Sequence, residues 1–94
     1  MNEVVAMVRR RVDEMQDEYI ERMVKNLPVL RAAIGFSQAQ LGKKLGMSRQ
    51  TIVAIENGKR PLSWSLYLAM VLIFNQNEIS SKLVESLDLY SQES

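Results

Sequence analysis

Two short segments in the middle of the chain each begin at a serine and end at a glycine. Ser37 precedes a segment that Gly46 closes, and Ser48 opens a second segment that Asn57 and Gly58 close. A serine hydroxyl accepts hydrogen bonds from the free N–H groups of a first helical turn, and glycine favours the left-handed conformation that ends a helix. This spacing predicts two short helices joined by a tight turn.

Apolar spacing predicts how these two helices pack. Leu41 and Leu45 are four residues apart in the first helix. Ile52 and Ile55 are three apart in the second, and residues at either spacing share one helix face. Gly42 has no side chain that would hold the second helix away. We therefore expect the leucines to pack against the isoleucines, which leaves the opposite face of the second helix exposed.

The flanking segments are also predicted to be helical. Residues 4–27 contain no glycine or proline, residues 64–74 are largely apolar, and residues 78–87 have a weaker helical pattern. The longest apolar run, residues 66–74, is about half the length of a membrane-spanning helix. No basic leader precedes an apolar stretch, so we expect a cytoplasmic protein with no membrane partner.

Pro28 leaves two alternatives for the N-terminal part of the chain. It either starts a new helix, with Asn26 as the cap, or kinks a continuing helix, because proline lacks an N–H and clashes with the carbonyl four residues earlier. In both cases we expect a bend near residues 26–28. The helix that contains Leu30 should end at Gly35.

Composition excludes several classes of protein. The 94 residues include neither cysteine nor histidine, so the chain has no disulfide, no thiolate nucleophile and no imidazole base. It also lacks both ligand types that dominate structural zinc sites. Its carboxylates, serines and lysines show no recognisable catalytic spacing. We expect neither an enzyme, nor a metal site, nor a cofactor.

Positive charge is concentrated in the middle of the chain. Residues 28–77 carry six basic side chains and a single acidic one, Glu56. Residues 1–27 carry five basic and six acidic side chains, and residues 78–94 carry one basic and four acidic. A basic block between acidic ends suggests a local surface for a polyanion, although charge alone also fits a solvated basic face.

The capped helices and their tight turn are typical of a helix-turn-helix, in which the second helix enters the DNA major groove. A plain helical bundle can contain the same turn, so the identity of the residues decides. The residues at fixed spacing are Leu30-Arg31, Phe36-Ser37-Gln38, Leu41, Leu45-Gly46, Ser48-Arg49-Gln50-Thr51-Ile52 and Ile55-Glu56-Asn57-Gly58-Lys59-Arg60. With them, the chain resembles the Cro/C1-type (XRE family) helix-turn-helix repressors over residues 28–74.

The resemblance implies an all-α fold: a five-helix, lambda-repressor-like helix-turn-helix domain, to which this chain adds a long N-terminal helix. We divide the chain into an amphipathic helical extension (residues 1–27), the DNA-binding domain (28–76) and a C-terminal helix with a frayed tail (77–94). The two ends lie outside the family pattern, so the resemblance implies no function for them.

Candidates for base contacts lie on the second helix. They are Arg49, Gln50, Thr51, Val53 and Ala54. Arginine bonds guanine O6 and N7, glutamine pairs with adenine, and methyl groups contact the thymine methyl. The resemblance implies base contacts at Arg49, Gln50 and the position of Ala54, where many relatives have a polar side chain. For Val53 and Ala54, packing or simple exposure stays open.

Candidates for contacts to the DNA backbone lie at helix N-termini and in the loop after the second helix. They are Gln38, Lys43, Lys44, Ser48, Asn57, Lys59 and Arg60. Free N–H groups at a helix N-terminus favour an anion there. The resemblance implies that Gln38 also braces the recognition helix, and that Arg31 and Glu56 form a structural ion pair. Trp64 is expected in the core or at a subunit contact.

One short recognition helix reads few base pairs, so such proteins usually bind as dimers, with two helices in successive major-groove faces. The expected function is a transcriptional regulator, specifically a repressor, that binds double-stranded DNA as a homodimer at a near-palindromic operator.

The N-terminal helix has an apolar stripe, which is formed by Val5, Val8, Val12, Met15 and Tyr19. This stripe either folds back on the domain or pairs between chains. The alternative function is an antitoxin-like module that binds a partner protein through this helix and autoregulates its operon.

Overall fold

The structure is a computed structural model that describes residues 3–88. These residues form five helices and no strand. The helices are α1 (Glu3–Ala33), α2 (Gln38–Leu45), α3 (Arg49–Glu56), α4 (Trp64–Asn75) and α5 (Glu78–Ser86). The predicted all-α class is confirmed. The tail predicted at residues 91–94 lies outside the described residues.

α1 continues through Pro28, so the predicted N-terminal extension and the first helix of the domain are one helix of 31 residues. Pro28 is exposed, whereas Leu27 and Leu30 are fully buried. The buried leucines hold the helix against the domain, and the hydrogen bond that proline cannot donate is lost on the solvent side.

Asn26 is not a cap, because its Nδ2 donates to the carbonyl of Arg22 at 2.7 Å. A short polar side chain inside a helix bonds in this way to the preceding turn.

The hydrophobic core lies where the C-terminal half of α1 meets the other helices. Its fully or nearly buried members are Met23, Leu27, Leu30, Leu41, Ile52, Ile55, Leu62, Tyr67, Met70, Val71, Phe74 and Val84. Leu45 packs against the edge of this cluster. The predicted packing of the α2 leucines with the α3 isoleucines is thus confirmed, and burial of such side chains contributes roughly 1.5–3 kcal/mol each.

Serine caps and a glycine end fix helix boundaries, and Ser37, Gly46 and Ser48 do so as the sequence predicted. The Oγ atoms of Ser37, Ser48 and Ser63 each accept the backbone N–H three residues later, at 3.1 to 3.2 Å. Gly46 ends α2 with a φ of 72°, in the left-handed region that glycine adopts without strain. Asn57 caps α3.

Candidate nucleic-acid interface

The turn between α2 and α3 brings the two helices into close contact. The N–H of Met47 donates to the carbonyl of Gly42 at 2.8 Å. A Cβ atom on Gly42 would lie 2.6 Å from the carbonyl oxygen of Met47, which is shorter than any normal contact. Gly42 is buried, and its missing side chain lets the backbone of the turn pack closely against α2.

The face of α3 opposite the core, formed by Arg49, Gln50, Val53 and Ala54, is hereafter called the outward face. Arg49 and Gln50 are exposed in the first turn, whereas Val53 and Ala54 are half-buried. The long hydrogen-bonding side chains therefore stand at the N-terminal end of α3, and small apolar side chains follow them. Such a surface offers polar groups for base edges and methyl groups for thymine.

Thr51 stands beside the outward face and is tied to the cap of α3. Its hydroxyl oxygen lies 2.9 Å from Oγ of Ser48, and its N–H donates to the same Oγ at 3.2 Å. Both hydroxyls are therefore engaged with each other. Ser48 is exposed and Thr51 is half-buried, so the pair organises the N-terminus of α3 where a phosphate would approach.

Arg31 and Glu56 form a two-point ion pair that joins the end of α1 to the end of α3. Nε of Arg31 lies 2.7 Å from Oε2 of Glu56, and Nη2 donates to Oε1 at 3.1 Å. The side chain of Glu56 is only 6% exposed. The single acidic side chain of residues 28–77 is therefore turned inward and paired with a cation, away from the outward face.

Two further groups complete this network. Nε2 of Gln38 donates to Oε1 of Glu56 at 3.1 Å, which connects the first residue of α2 to the last residue of α3. Nη1 of Arg31 donates to the carbonyl of Phe36 at 3.0 Å, which fixes the loop between α1 and α2. Charge-assisted hydrogen bonds of this kind hold their partners in one geometry. The network thus fixes the orientation of α3 relative to α1 and α2.

The loop after α3 folds back on the end of that helix. The carbonyl of Ala54 accepts the N–H groups of Lys59 and Arg60, at 2.9 and 3.2 Å. Asn57, Lys59 and Arg60 are exposed. The main chain therefore holds two cations and an amide directly beside the outward face.

The other predicted backbone contacts lie on α2. Lys43 and Lys44 are exposed in its last turn, and Gln38 is half-buried at its first position. Nε2 of Gln38 donates to Glu56 within the network, so a contact to DNA from this side chain would have to use its other hydrogen-bonding groups. Among the described residues, no group of histidine, cysteine and acidic side chains is arranged to hold a metal ion.

Two groups near this surface were not predicted from the sequence. Oε1 of Gln40 accepts the N–H of Ser37 at 2.7 Å and so completes a reciprocal capping box, which the Ser-x-x-Gln pattern would have indicated. The carbonyl of Phe36 as a partner of Arg31 had no signal, because a backbone acceptor in a loop leaves no mark in the sequence.

No helix within residues 3–88 has the length and apolarity that a membrane crossing requires.

Short capped helices, a glycine-spaced turn and a braced second helix define a helix-turn-helix domain. The helix-turn-helix family profile matches residues 30–66. The uncharacterized HTH-type transcriptional regulator MJ0272 of Methanocaldococcus jannaschii is 44% identical over 52 residues, which cover 55% of this chain and 79% of that protein. The uncharacterized HTH-type transcriptional regulator YgzD of Bacillus subtilis is 40% identical over 53 residues, covering 56% and 80%.

The chain therefore belongs to the helix-turn-helix family, in its Cro/C1 (XRE) type. No solved structure matches it with comparable significance. Most of α1 and all of α5 lie outside the residues that the family profile covers.

Proposed function

We propose that this protein is a sequence-specific transcriptional regulator that binds double-stranded DNA with the outward face of α3 in the major groove. One observation carries the proposal. The ion pair of Arg31 and Glu56 holds α3 in place, and exposed cations surround its outward face. Glu56 at the end of α3 is buried against Arg31, whereas Arg49, Lys59 and Arg60 are exposed. The surface offered to a polyanion is thus positive, and the acid within it is neutralised.

Each residue predicted to contact DNA has a role in this proposal. Arg49 and Gln50 contact base edges, and Thr51, Val53 and Ala54 supply methyl groups to thymine. The phosphate contacts come from the N-terminal turns of α2 and α3 and from the cations around them. The residues that would make these phosphate contacts are Gln38, Lys43, Lys44, Ser48, Asn57, Lys59 and Arg60.

We further propose that two chains act together on a near-palindromic operator and repress transcription by blocking polymerase. α3 has eight residues, so one copy reaches only a few base pairs. Two copies related by a two-fold axis would place their α3 helices in successive major-groove faces, about 34 Å apart. Repression then follows from occupancy, because a dimer bound across the operator excludes polymerase from the DNA that it covers.

Selection of bound duplexes from a random DNA pool tests this function. The expected result is an enriched motif with two inverted half-sites, which sequencing of the bound fraction reports. A single half-site without its inverted copy would contradict the dimeric operator. No enrichment over the starting pool would contradict sequence-specific binding altogether.

A further inference from the structure

The N-terminal part of α1 extends beyond the domain. Its first core residue is Met23, and Tyr19 and Ile20 pack at the edge of the core. Every residue from 3 to 15 is exposed. At 1.5 Å per residue, this segment extends about 20 Å past the domain. A helix face that is apolar gains stability when another surface covers it.

One face of this extension is apolar. Val8, Val12 and Met15 are 56%, 40% and 47% exposed and recur at the three-four spacing of a helix-pairing seam. The seam leads into Tyr19, whose ring centroid lies 6.5 Å from that of Trp64. We call Val8, Val12, Met15 and Tyr19 the α1 seam.

The apolar surface continues from the α1 seam onto α4. Trp64, Leu68 and Leu72 are spaced four residues apart, and residues at this spacing share a helix face. Leu68 and Leu72 are 39% and 64% exposed, and Trp64 is half-buried. The exposed apolar surface therefore runs along the extension of α1 and continues onto α4.

Charges beside the α1 seam are separated along the helix. Arg9, Arg10 and Arg11 lie in the seam's N-terminal half, and Glu14, Asp17 and Glu18 lie in its C-terminal half. A second copy of the same helix is complementary to this pattern only when it runs in the opposite direction. A parallel copy would place the arginines of both chains side by side, which is unfavourable for like charges.

We propose that α1 pairs with α1 of a second copy in antiparallel orientation, so that the α1 seams form the dimer interface. In this register Val12 lies opposite Met15 of the second copy, and Val8 lies opposite its Tyr19. The residues that flank the seam then place Arg11 opposite Glu18 of the second copy, once on each side of the two-fold axis. This inference deepens the proposed function and rests on it for the dimer that an operator with two half-sites requires.

The register also brings the N-terminal end of each α1 to the aromatic side chains of the other copy. Val4, 66% exposed, belongs to this end. The half-buried rings of Tyr19 and Trp64 provide an apolar surface for it. A second copy in this register thus covers the α1 seam and approaches Trp64, where the exposed apolar surface continues onto α4.

Charge reversal tests the register in the full chain without DNA. Sedimentation equilibrium should show a dimer for the wild type, and a dissociation constant raised roughly tenfold or more for Arg11→Glu and for Glu18→Arg, because each variant places like charges opposite each other twice. An equimolar mixture of the two variants should recover the wild-type affinity as a heterodimer. Arg10→Glu and Glu14→Arg, which lie off the flank of the seam, serve as matched controls and should dimerise like the wild type.

Cysteine pairing gives a second, independent measurement, because the natural chain has no cysteine. Mixed Val12→Cys and Met15→Cys proteins should form the mixed disulfide in preference to either homodimer. A preference for the two homodimers would show parallel pairing and overturn the proposal. Far-ultraviolet circular dichroism of each variant verifies that the helices are intact.

Three results would overturn the proposal. The first is a wild type that stays monomeric at its highest soluble concentration, which leaves the α1 seam for a different protein, as in an antitoxin-like module. The second is a dimer that Leu72→Glu disrupts and Arg11→Glu does not, which places the interface on α4 alone. The third is a mixture of the charge variants that does not recover dimerisation. Enrichment of a DNA motif in the selection experiment is scored separately, so failure of the interface and failure of DNA binding are distinguishable.

Discussion

Arg31 and Glu56 are 25 residues apart in the sequence, yet Nε of the arginine lies 2.7 Å from Oε2 of the glutamate. This contact joins the last turn of α1 to the last residue of α3. Both side chains are largely buried, with exposed fractions of 17% and 6%. α3 is therefore held by a polar network at one end and by Ile52 and Ile55 along its length.

Glu56→Ala should lower the free energy of unfolding by about 3–5 kcal/mol. The substitution leaves the guanidinium of Arg31 buried without its counter-ion, and breaking a buried pair from one side has this typical cost. Urea denaturation followed by circular dichroism measures the change. Glu85→Ala, on the exposed surface of α5, is the control and should stay within about 0.5 kcal/mol of the wild type. Equal losses for the two variants would contradict a structural role for the pair.

Gly42→Ala should destabilise the domain by about 1–3 kcal/mol, although alanine is the better helix former. The new Cβ would lie 2.6 Å from the carbonyl oxygen of Met47, so the backbone of the turn must shift away from α2. Thermal unfolding measures the loss, with the neighbouring exposed Lys43→Ala as the control. An unchanged or raised melting temperature for Gly42→Ala would show that the turn accommodates the methyl group without cost and would contradict the predicted clash.

Lys59→Ala should weaken binding to all DNA sequences by a similar factor. Lys59 follows α3 in a loop whose N–H groups bond to Ala54, and its proposed partner is a phosphate, which carries no sequence information. The slope of log K against log salt should become less steep by about one unit for each phosphate that the variant no longer neutralises. Fluorescence anisotropy across a salt series measures this slope. Arg10→Ala, on the extension of α1, serves as the control, and weaker binding confined to the operator sequence would contradict the assignment of Lys59.

The helix boundaries were predictable from the sequence because their causes are local. Ser37, Ser48 and Gly46 determine their own boundaries through hydrogen bonds and backbone conformation within a few residues. The course of α1 was not predictable. Pro28 disfavours a helix locally, and the burial of Leu27 and Leu30 against distant helices overrides this preference.

The candidate site was also predictable from the sequence only in part. The outward face follows from the apolar spacing of α3, and the pairing of Arg31 with Glu56 came only from the family resemblance. Stacking of Trp64 on Tyr67, with centroids 4.7 Å apart and ring planes 11° apart, depends on the mutual position of two side chains that no spacing rule fixes. For the same reason, the sequence did not choose among three surfaces that could form a dimer: the long N-terminal helix, residues 64–74 and the acidic C-terminal helix.

The central claim is that the outward face of α3 distinguishes base sequences, and Gln50 tests it most directly. The measurement is the ratio of affinities for the selected operator and for a duplex of scrambled sequence, taken for the wild type and for Gln50→Ala at the same salt concentration. The claim predicts that Gln50→Ala loses about 1–3 kcal/mol on the operator and little on the scrambled duplex, so the ratio falls. Equal losses on the two duplexes would mean that Gln50 contacts only the backbone, and would contradict the claim.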